Sequence, residues 1–408
     1  MKKILLLFAL VLTALQSQAA EWQMLREQNA AYGFFITQEG VMLLSDYDDF
    51  TSYGGIYYSE DNGLSWEKSN AKDFYYSKFI EVGDYIFAVG YKCRVARSED
   101  GGRTWDILNY SRACNGLPNA TTDNLNSSAA YGIVYHNDRL YVADFSFGVV
   151  ASDDWGETWT QVDTESMMQD VDDGGKGGGK MIENLYMLSE YNGTLMAEGL
   201  YNVYAFNDET QKWSYLTWSN CMAVYTIFND KLFTGRSMPN DDFNSPFLLS
   251  TTDLKNWTNI KHPNGEMSTN VRALTSDRSR IYAALQFGAV YMTSDEGETW
   301  YNISEGLPHL VNPYTGQEAD DYYSVLQLWP SNDYLYAVVY NEPWNESQHT
   351  SGLYRIKMSD LEEINPTGIS AVDAAPAAQG ALYDLMGRRA GNAAAKGLYI
   401  EGGKKIVK

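Results

Sequence analysis

Short apolar runs, each introduced by turn-forming residues, recur along most of the chain. They begin near Val41 (VMLLS), Tyr85 (YIFAVG), Leu140 (LYVAD), Leu195 (LMAEG), Leu232 (LFTGR), Ile281 (IYAAL) and Leu335 (LYAVV). Glu39-Gly40, Gly83-Asp84, Asn137-Asp138, Asn192-Gly193, Asn229-Asp230 and Asn332-Asp333 stand in front of all but the sixth. Such pairs accept the positive φ that a two-residue turn requires, so each predicts a β-hairpin leading into an apolar strand. The runs lie about 49 residues apart on average, the length of a four-stranded unit with its loops. Seven runs predict seven such units.

A second pattern interlocks with the first. Ser59 to Trp66 (SEDNGLSW), Ser98 to Trp105 (SEDGGRTW), Ser152 to Trp159 (SDDWGETW) and Thr293 to Trp300 (TSDEGETW) share one spacing of hydroxyl, Asp, Gly and Trp. Phe206 to Trp213 (FNDETQKW) keeps the Asp-to-Trp spacing, and Ser250 to Trp257 (STTDLKNW) keeps Ser, Asp and Trp with one residue fewer between the last two. An Asp carboxylate can accept from backbone N–H groups just ahead of it and close a tight turn. Gly supplies a positive φ, and the Trp opens the next strand with its ring between sheets. The turn residues are therefore Ser59, Asp61, Gly63 and Trp66; Ser98, Asp100, Gly102 and Trp105; Ser152, Asp154, Gly156 and Trp159; and Thr293, Asp295, Gly297 and Trp300.

This turn resembles that of the Asp-box family, the bacterial neuraminidase repeats. The resemblance implies an all-β fold, a seven-bladed β-propeller across 21–364, in which the box aspartates are structural. The seventh unit has no Trp turn, and Glu21-Trp22-Gln23-Met24-Leu25 is expected to supply its outer strand and close the ring. The family spans sialidases, other glycoside hydrolases, sortilin-like receptors and photosystem-assembly factors, so the turn carries the fold without a chemistry.

The ends read differently from the middle. Lys2 and Lys3 precede an apolar run from Ile4 to Leu15, and Ser17-Gln18-Ala19 offers small residues for cleavage, so 1–20 reads as a secretory signal. After Ile364 an alanine-rich linker leads to Leu382-Tyr383-Asp384-Leu385-Met386-Gly387-Arg388-Arg389 and Gly397-Leu398-Tyr399-Ile400, then a basic terminus. This segment, 365–408, predicts a small β module and resembles the C-terminal sorting domain of type IX secretion cargo, though it is short and has Ala390 where a β-branched residue is usual. The resemblance implies a partner in secretion machinery and a protein either secreted or attached at the outer cell surface of a Gram-negative bacterium.

Composition narrows the function. The net charge of −23 becomes −25 once Lys2 and Lys3 are removed; such a surface repels phosphate backbones and anionic lipid, so neither nucleic acid nor membrane insertion is expected. Among three cysteines, Cys93 and Cys114 are the nearest pair for a disulfide, with three separate thiols as the other reading. No spacing suits a metal site or cofactor. Gly174 to Lys180 (GGKGGGK) imitates a phosphate loop, but Met181 stands where a hydroxyl should, and the same Met181 spoils a calcium-loop reading of 170–174.

A sialidase would need a Phe/Tyr-Arg-Ile-Pro arginine, and the nearest string is Tyr354-Arg355-Ile356-Lys357 in the last unit. Acidic pairs abound, but the chain holds 53 acids and such pairs arise easily. Their placement says more. In a propeller the box turns and first hairpins share one face, while the long segments 45–55, 110–129, 163–183, 236–246, 304–323 and 341–351 belong to the other. Ligands are usually taken by the face from which loops grow. Asp48, Asp49, Tyr53, Asp241, Asp242, His309, Asp320, Asp321, Glu342 and Trp344 are the candidate ligand-binding residues there. The expected function is binding of an extracellular glycan or protein; a carboxylate-based glycoside hydrolase and a purely structural surface protein are the alternatives.

Overall fold

The computed structural model describes residues 20–27, 33–49, 52–72, 75–117, 120–171, 179–218, 224–235, 247–261, 270–285, 289–311, 317–340 and 351–364, together with four short strands of the tail. Of residues 47–49, 52–53, 171, 179, 218, 363 and the tail strands only the backbone is described.

The predicted hairpins grow into seven antiparallel four-stranded sheets. Blade 1 comprises Gly33–Ile36, Met42–Asp49, Ser52–Ser59 and Glu67–Lys72; blade 2 comprises Tyr76–Val82, Tyr85–Gly90, Arg94–Ser98 and Asp106–Asn109. Blade 3 runs from Ala130–His136 to Thr160–Gln161, blade 4 from Leu185–Tyr191 to Lys212–Trp218, blade 5 from Val224–Phe228 to Thr258–Ile260, and blade 6 from Val271–Ser276 to Tyr301–Asn302. First strands neighbour one another around the centre. The protein is a seven-bladed β-propeller.

Blade 7 takes Ser324–Pro330, Tyr334–Tyr340 and Gly352–Lys357 from one end of the chain and Gln23–Glu27 from the other. Gln23 pairs with Arg355 and Glu27 with Gly352, so the N-terminal strand closes the ring as the sequence predicts. The last strand continues into a helix, Met358–Ile364. Tail strands Leu382–Tyr383, Arg389–Ala390, Leu398–Glu401 and Lys404–Val407 form a separate small sheet.

Each aspartate turn joins a third strand to a fourth. In the first, the Ser59 hydroxyl donates to Asp61 Oδ1 at 2.8 Å and accepts from the Gly63 amide at 2.9 Å. Asp61 in turn accepts from the Ser65 amide at 2.8 Å and hydroxyl at 2.6 Å, and the Trp66 indole donates to the Gly63 carbonyl at 3.0 Å. The hydroxyl and amide of Ser65, with the Ser59 hydroxyl, hold the Asp61 carboxyl down at about 2. The same bonds recur around Asp100 and Asp154, and at Asp295 apart from the indole bond.

The turn glycine answers to two demands. Gly102 has φ +93°, and a Cβ there would lie 2.4 Å from the Leu43 side chain of the preceding blade. The indoles staple blades in the same direction: Trp105 packs into the blade 1 cluster around Leu43, Trp159 onto Phe87 of blade 2, and Trp213 onto Tyr141 of blade 3. Trp22 fills that role for blade 7. It is 2% exposed, packs with Tyr282 and Met292 of blade 6 and donates its indole N–H to the Ile303 carbonyl at 2.5 Å. Beside the central axis, the Gln327 amide of blade 7 accepts from the Phe34 N–H at 2.8 Å and donates to the Phe34 carbonyl at 2.7 Å. A side chain thus stitches the inner strand of the last blade to that of the first.

The two eroded turns depart from the sequence reading. At 206–213 the turn acceptor is Asn207, which takes the Thr210 amide at 2.8 Å, and Asp208 points elsewhere. At 250–257 the hydroxyl bonded to Asp253 comes from Thr251, at 3.2 Å, not from Ser250. Ser250 lies within the third strand, opposite Phe233.

Asp208 instead joins a lock between blades 3 and 4. His136, 3% exposed, contacts Glu190 at 3.2 Å through Nδ1 and Asp208 at 3.1 Å through Nε2, beside the Asn137 amide at 3.0 Å. Burial works against the imidazolium, but the bonds and charges of Glu190 and Asp208 outweigh it and raise the pKa. A raised folded pKa stabilises the fold fully below the unfolded value of about 6.5 and ceases to do so as pH rises through the folded value. The stability gap between wild type and His136→Gln is therefore expected to narrow as pH climbs above about 6.5. Denaturant midpoints across that range measure it, and a gap that stays constant with pH would contradict the lock.

Candidate functional site

Apart from the helix Met358–Ile364, which continues the last strand on the side of the aspartate turns, the described excursions from the blade pattern leave the opposite face. The hairpin of blade 1 is drawn out over 42–59. Between blades 2 and 3 lie two short helices, Ser111–Cys114 and Thr122–Ser127. An extra hairpin, Met168–Val171 with Gly179–Ile182, separates blades 3 and 4, and another, His309–Val311 with Glu318–Tyr322, separates blades 6 and 7. The strand-to-strand register explains why this face can also present side chains. Inner strands enter from it with a β-bulge, between Tyr76 and Lys78, Ala130 and Gly132, Leu185 and Met187, Val271 and Ala273, and Val325 and Gln327. A bulge leaves one residue out of the ladder and re-aims it.

In blades 3 and 4 the bulged residues are Tyr131 and Tyr186. Their half-buried rings stack at 6.2 Å, and Phe145, on the next turn of blade 3, meets both edge-on at 6.0 and 5.3 Å. The backbone locks the cluster: the Leu185 amide and the Asn184 side chain both donate to the Phe145 carbonyl, at 3.2 and 3.1 Å, and the Leu200 amide donates to the Asn184 carbonyl at 3.0 Å. That last bond brings up Tyr201, which is 53% exposed. On the adjoining blade, the rings of Tyr75 and Tyr91 meet at 4.5 Å, tilted by 56°.

Two buried carboxylates hold this platform rigid. Glu183, 4% exposed, accepts from the Tyr201 amide, from the Asn202 amide at 2.9 Å and side chain at 2.7 Å, from the Tyr204 hydroxyl at 2.5 Å and from Gln169 at 2.6 Å. Burial and the Glu183 carboxylate push the Tyr204 hydroxyl up to about 12, so it remains a donor. Asp144 is fully buried and accepts from the Ser128 hydroxyl, the Tyr110 hydroxyl at 2.7 Å and the amides of Ser146 and Phe147 at 2.8 and 3.1 Å. Burial raises its carboxyl in spite of these donors.

The predicted residues are distributed unevenly over this face. His309 packs against Tyr322 at 4.3 Å, the rings tilted by 31°, in the second extra hairpin, while Asp320 and Asp321 stand exposed on the same hairpin. Asp48, Asp49 and Tyr53 fall on the drawn-out strands of blade 1, and their side chains lie outside the described residues, as do Asp241, Asp242, Glu342 and Trp344 altogether. Cys93 and Cys114 lie in one buried cluster as free thiols; Cys221 lies outside the described residues. Tyr131, Phe145, Tyr186 and Tyr201 were not singled out by sequence. Tyr131 and Tyr186 each stand one residue inside the start of an inner strand, and nothing in the sequence pattern sets Phe145 or Tyr201 apart. Among the described residues no cluster of His, Cys, Asp and Glu suits a metal ion, and no helix is long and apolar enough to cross a membrane.

No family model matches the sequence, and no curated protein matches it. The likeness lies in solved propellers. YCF48 from Cyanidioschyzon merolae superposes with a TM-score of 0.53 at 13% identity, over 83% of this chain and 98% of that one. A structure of YCF48 bound to D1 peptide gives 0.56 at 13% identity, over 84% and 96%. The extracellular domain of the hybrid two component system BT3049 from B. thetaiotaomicron gives 0.53 at 10% identity, over 83% of this chain but 42% of that one. Identities this low carry the fold alone, and the fold they carry is the propeller.

Proposed function

We propose that this chain is an exported propeller of the Asp-box kind that takes an extracellular glycan or protein ligand on the face opposite its aspartate turns. The observation that carries this is the aromatic platform of Tyr131, Phe145 and Tyr186, with the exposed Tyr201 on the neighbouring turn that Asn184 and Glu183 hold, among the added hairpins and helices. Tyrosine rings offer large, stiff contact area at low entropic cost and suit sugar faces and peptide side chains alike. Asp144 and Glu183 beside the platform already accept protein donors, which supports binding over carboxylate hydrolysis. A propeller of the same fold has been solved with a peptide bound, and this reading is of the same general kind. The signal at 1–20 would export the chain, and the tail would present it to secretion machinery.

The test uses the mature protein on a glycan array, against a panel of surface proteins, and with chromogenic glycosides. Binding without turnover is expected, and Tyr201→Ala or Tyr186→Ala should weaken it about tenfold or more. Turnover of a glycoside would replace this reading with the hydrolase. Binding untouched by either substitution would move the site away from the platform.

A further inference from the structure

We infer that Cys93 and Cys114 are an oxidation site, closed as a disulfide in the exported protein and fastening the helical insertion between blades 2 and 3. Both residues are fully buried in one cluster with Tyr110, Phe147 and Val95. The Cys114 thiol donates to the Tyr110 carbonyl at 3.7 Å, on the residue whose amide donates to the Cys93 carbonyl, so the two free thiols lie side by side in that cluster. Cys93 sits on the turn between the second and third strands of blade 2 with φ +53°, following Lys92 at φ +63°. Two successive left-handed non-glycine residues are costly, and that conformation is what turns the Cys93 side chain inward. From the other side, the Tyr110 amide donates to the Cys93 carbonyl at 3.0 Å, and the helix Ser111–Cys114 that begins there carries Cys114 back over it. The Cys93 thiol reaches the Leu125 carbonyl at 3.6 Å, so the second helix of the insertion is tied to the same point.

The chemistry is a thiol–disulfide exchange. An oxidant that itself carries a disulfide, such as a thiol oxidoreductase, accepts two electrons from the pair. Its S–S bond breaks to two thiols as the Cys93–Cys114 bond forms, and the two protons pass to it. The neighbouring Cys114 thiol, burial and the nearby Asp144 charge raise the Cys93 thiol, so in the folded protein it is a poor nucleophile. Closure therefore accompanies folding, while the pair is still accessible, and once closed the bond is shielded. The consequence is a binding face whose largest helical insertion is fixed by a covalent link. This inference shares only the route of export with the proposed function; it stands or falls whatever the ligand is.

The experiment takes the full chain exported by its own leader, alkylates it under denaturing conditions without reductant, and maps the cysteine peptides by mass spectrometry. One alkylated cysteine, Cys221, and a linked peptide pair bearing Cys93 and Cys114 are expected. Three alkylated cysteines, or a link involving Cys221, would overturn the inference. Reduction should lower the melting midpoint by about 4–5 °C for a loop of this length in a domain of this size. The doubly substituted Cys93→Ala, Cys114→Ala protein should show no such response to reductant; an equal fall in both proteins would also overturn it.

Discussion

Trp22→Ala is expected to destabilise the propeller by about 3–5 kcal/mol, as a buried Trp truncated to Ala usually does. The indole is 2% exposed, and its loss opens a cavity between blades 6 and 7 where Tyr282, Met292 and Leu335 now converge. It also frees the Ile303 carbonyl, which accepts the indole N–H at 2.5 Å. The neighbouring amide bond from Trp22 to the Glu305 carbonyl, 2.8 Å, anchors the start of the closing strand, so the damage reaches the ring seal. Chemical denaturation measures the loss. Leu64→Ser provides the comparison, because Leu64 is 76% exposed on an aspartate turn and its substitution should stay within about 0.5 kcal/mol. Equal midpoints for the two variants would show that the seal does not depend on Trp22.

The second large effect concerns Glu183→Leu. Five donors from Gln169, Tyr201, Asn202 and Tyr204 converge on one buried carboxylate. Removing it leaves them without an acceptor away from water, at a cost of about 3–5 kcal/mol. Hydrogen exchange should accelerate first at the amides of Tyr201 and Asn202, since those N–H groups lose their partner outright. Glu183→Gln keeps one acceptor oxygen and should fall between. If Leu and Gln variants exchange alike at Tyr201, the carboxylate is not what orders that turn. Because the Glu183 carboxylate holds the turn that carries Tyr201 beside the aromatic platform, the Leu variant should also bind ligand more weakly at temperatures where the blades remain folded.

What was legible in the sequence follows from how local each signal is. The aspartate turn is a closed set of bonds within eight residues, Ser59 to Trp66 for example, so composition and spacing specify it completely. The closing strand was legible because blade 7 lacked a turn Trp and residue 22 offered one. The eroded turns were misread where a neighbour took over a role, Asn207 for Asp208 and Thr251 for Ser250; both swaps preserve the polarity pattern and move only the atom. The platform was illegible for a different reason. Tyr131 and Tyr186 become prominent through β-bulges, and a bulge depends on pairing with another strand, which leaves no mark in the strand's own alternation. Counting acids pointed to Asp320 and Asp321, which are exposed on their hairpin, whereas the buried acids Asp144 and Glu183 do the positioning.

The ring seal has a kinetic side. Gln23–Glu27 pairs with Gly352–Lys357, almost the whole propeller apart in sequence, and loop-closure entropy makes such a contact among the last to form. Until then blades 1 and 6 each keep a bare flank, and Trp22 has no pocket because half of it comes from blade 7. An incomplete chain emerging from synthesis can assemble individual hairpins but cannot settle into the finished barrel of blades. The molecule therefore stays loose for as long as its final strand is missing, and tightens in one late step.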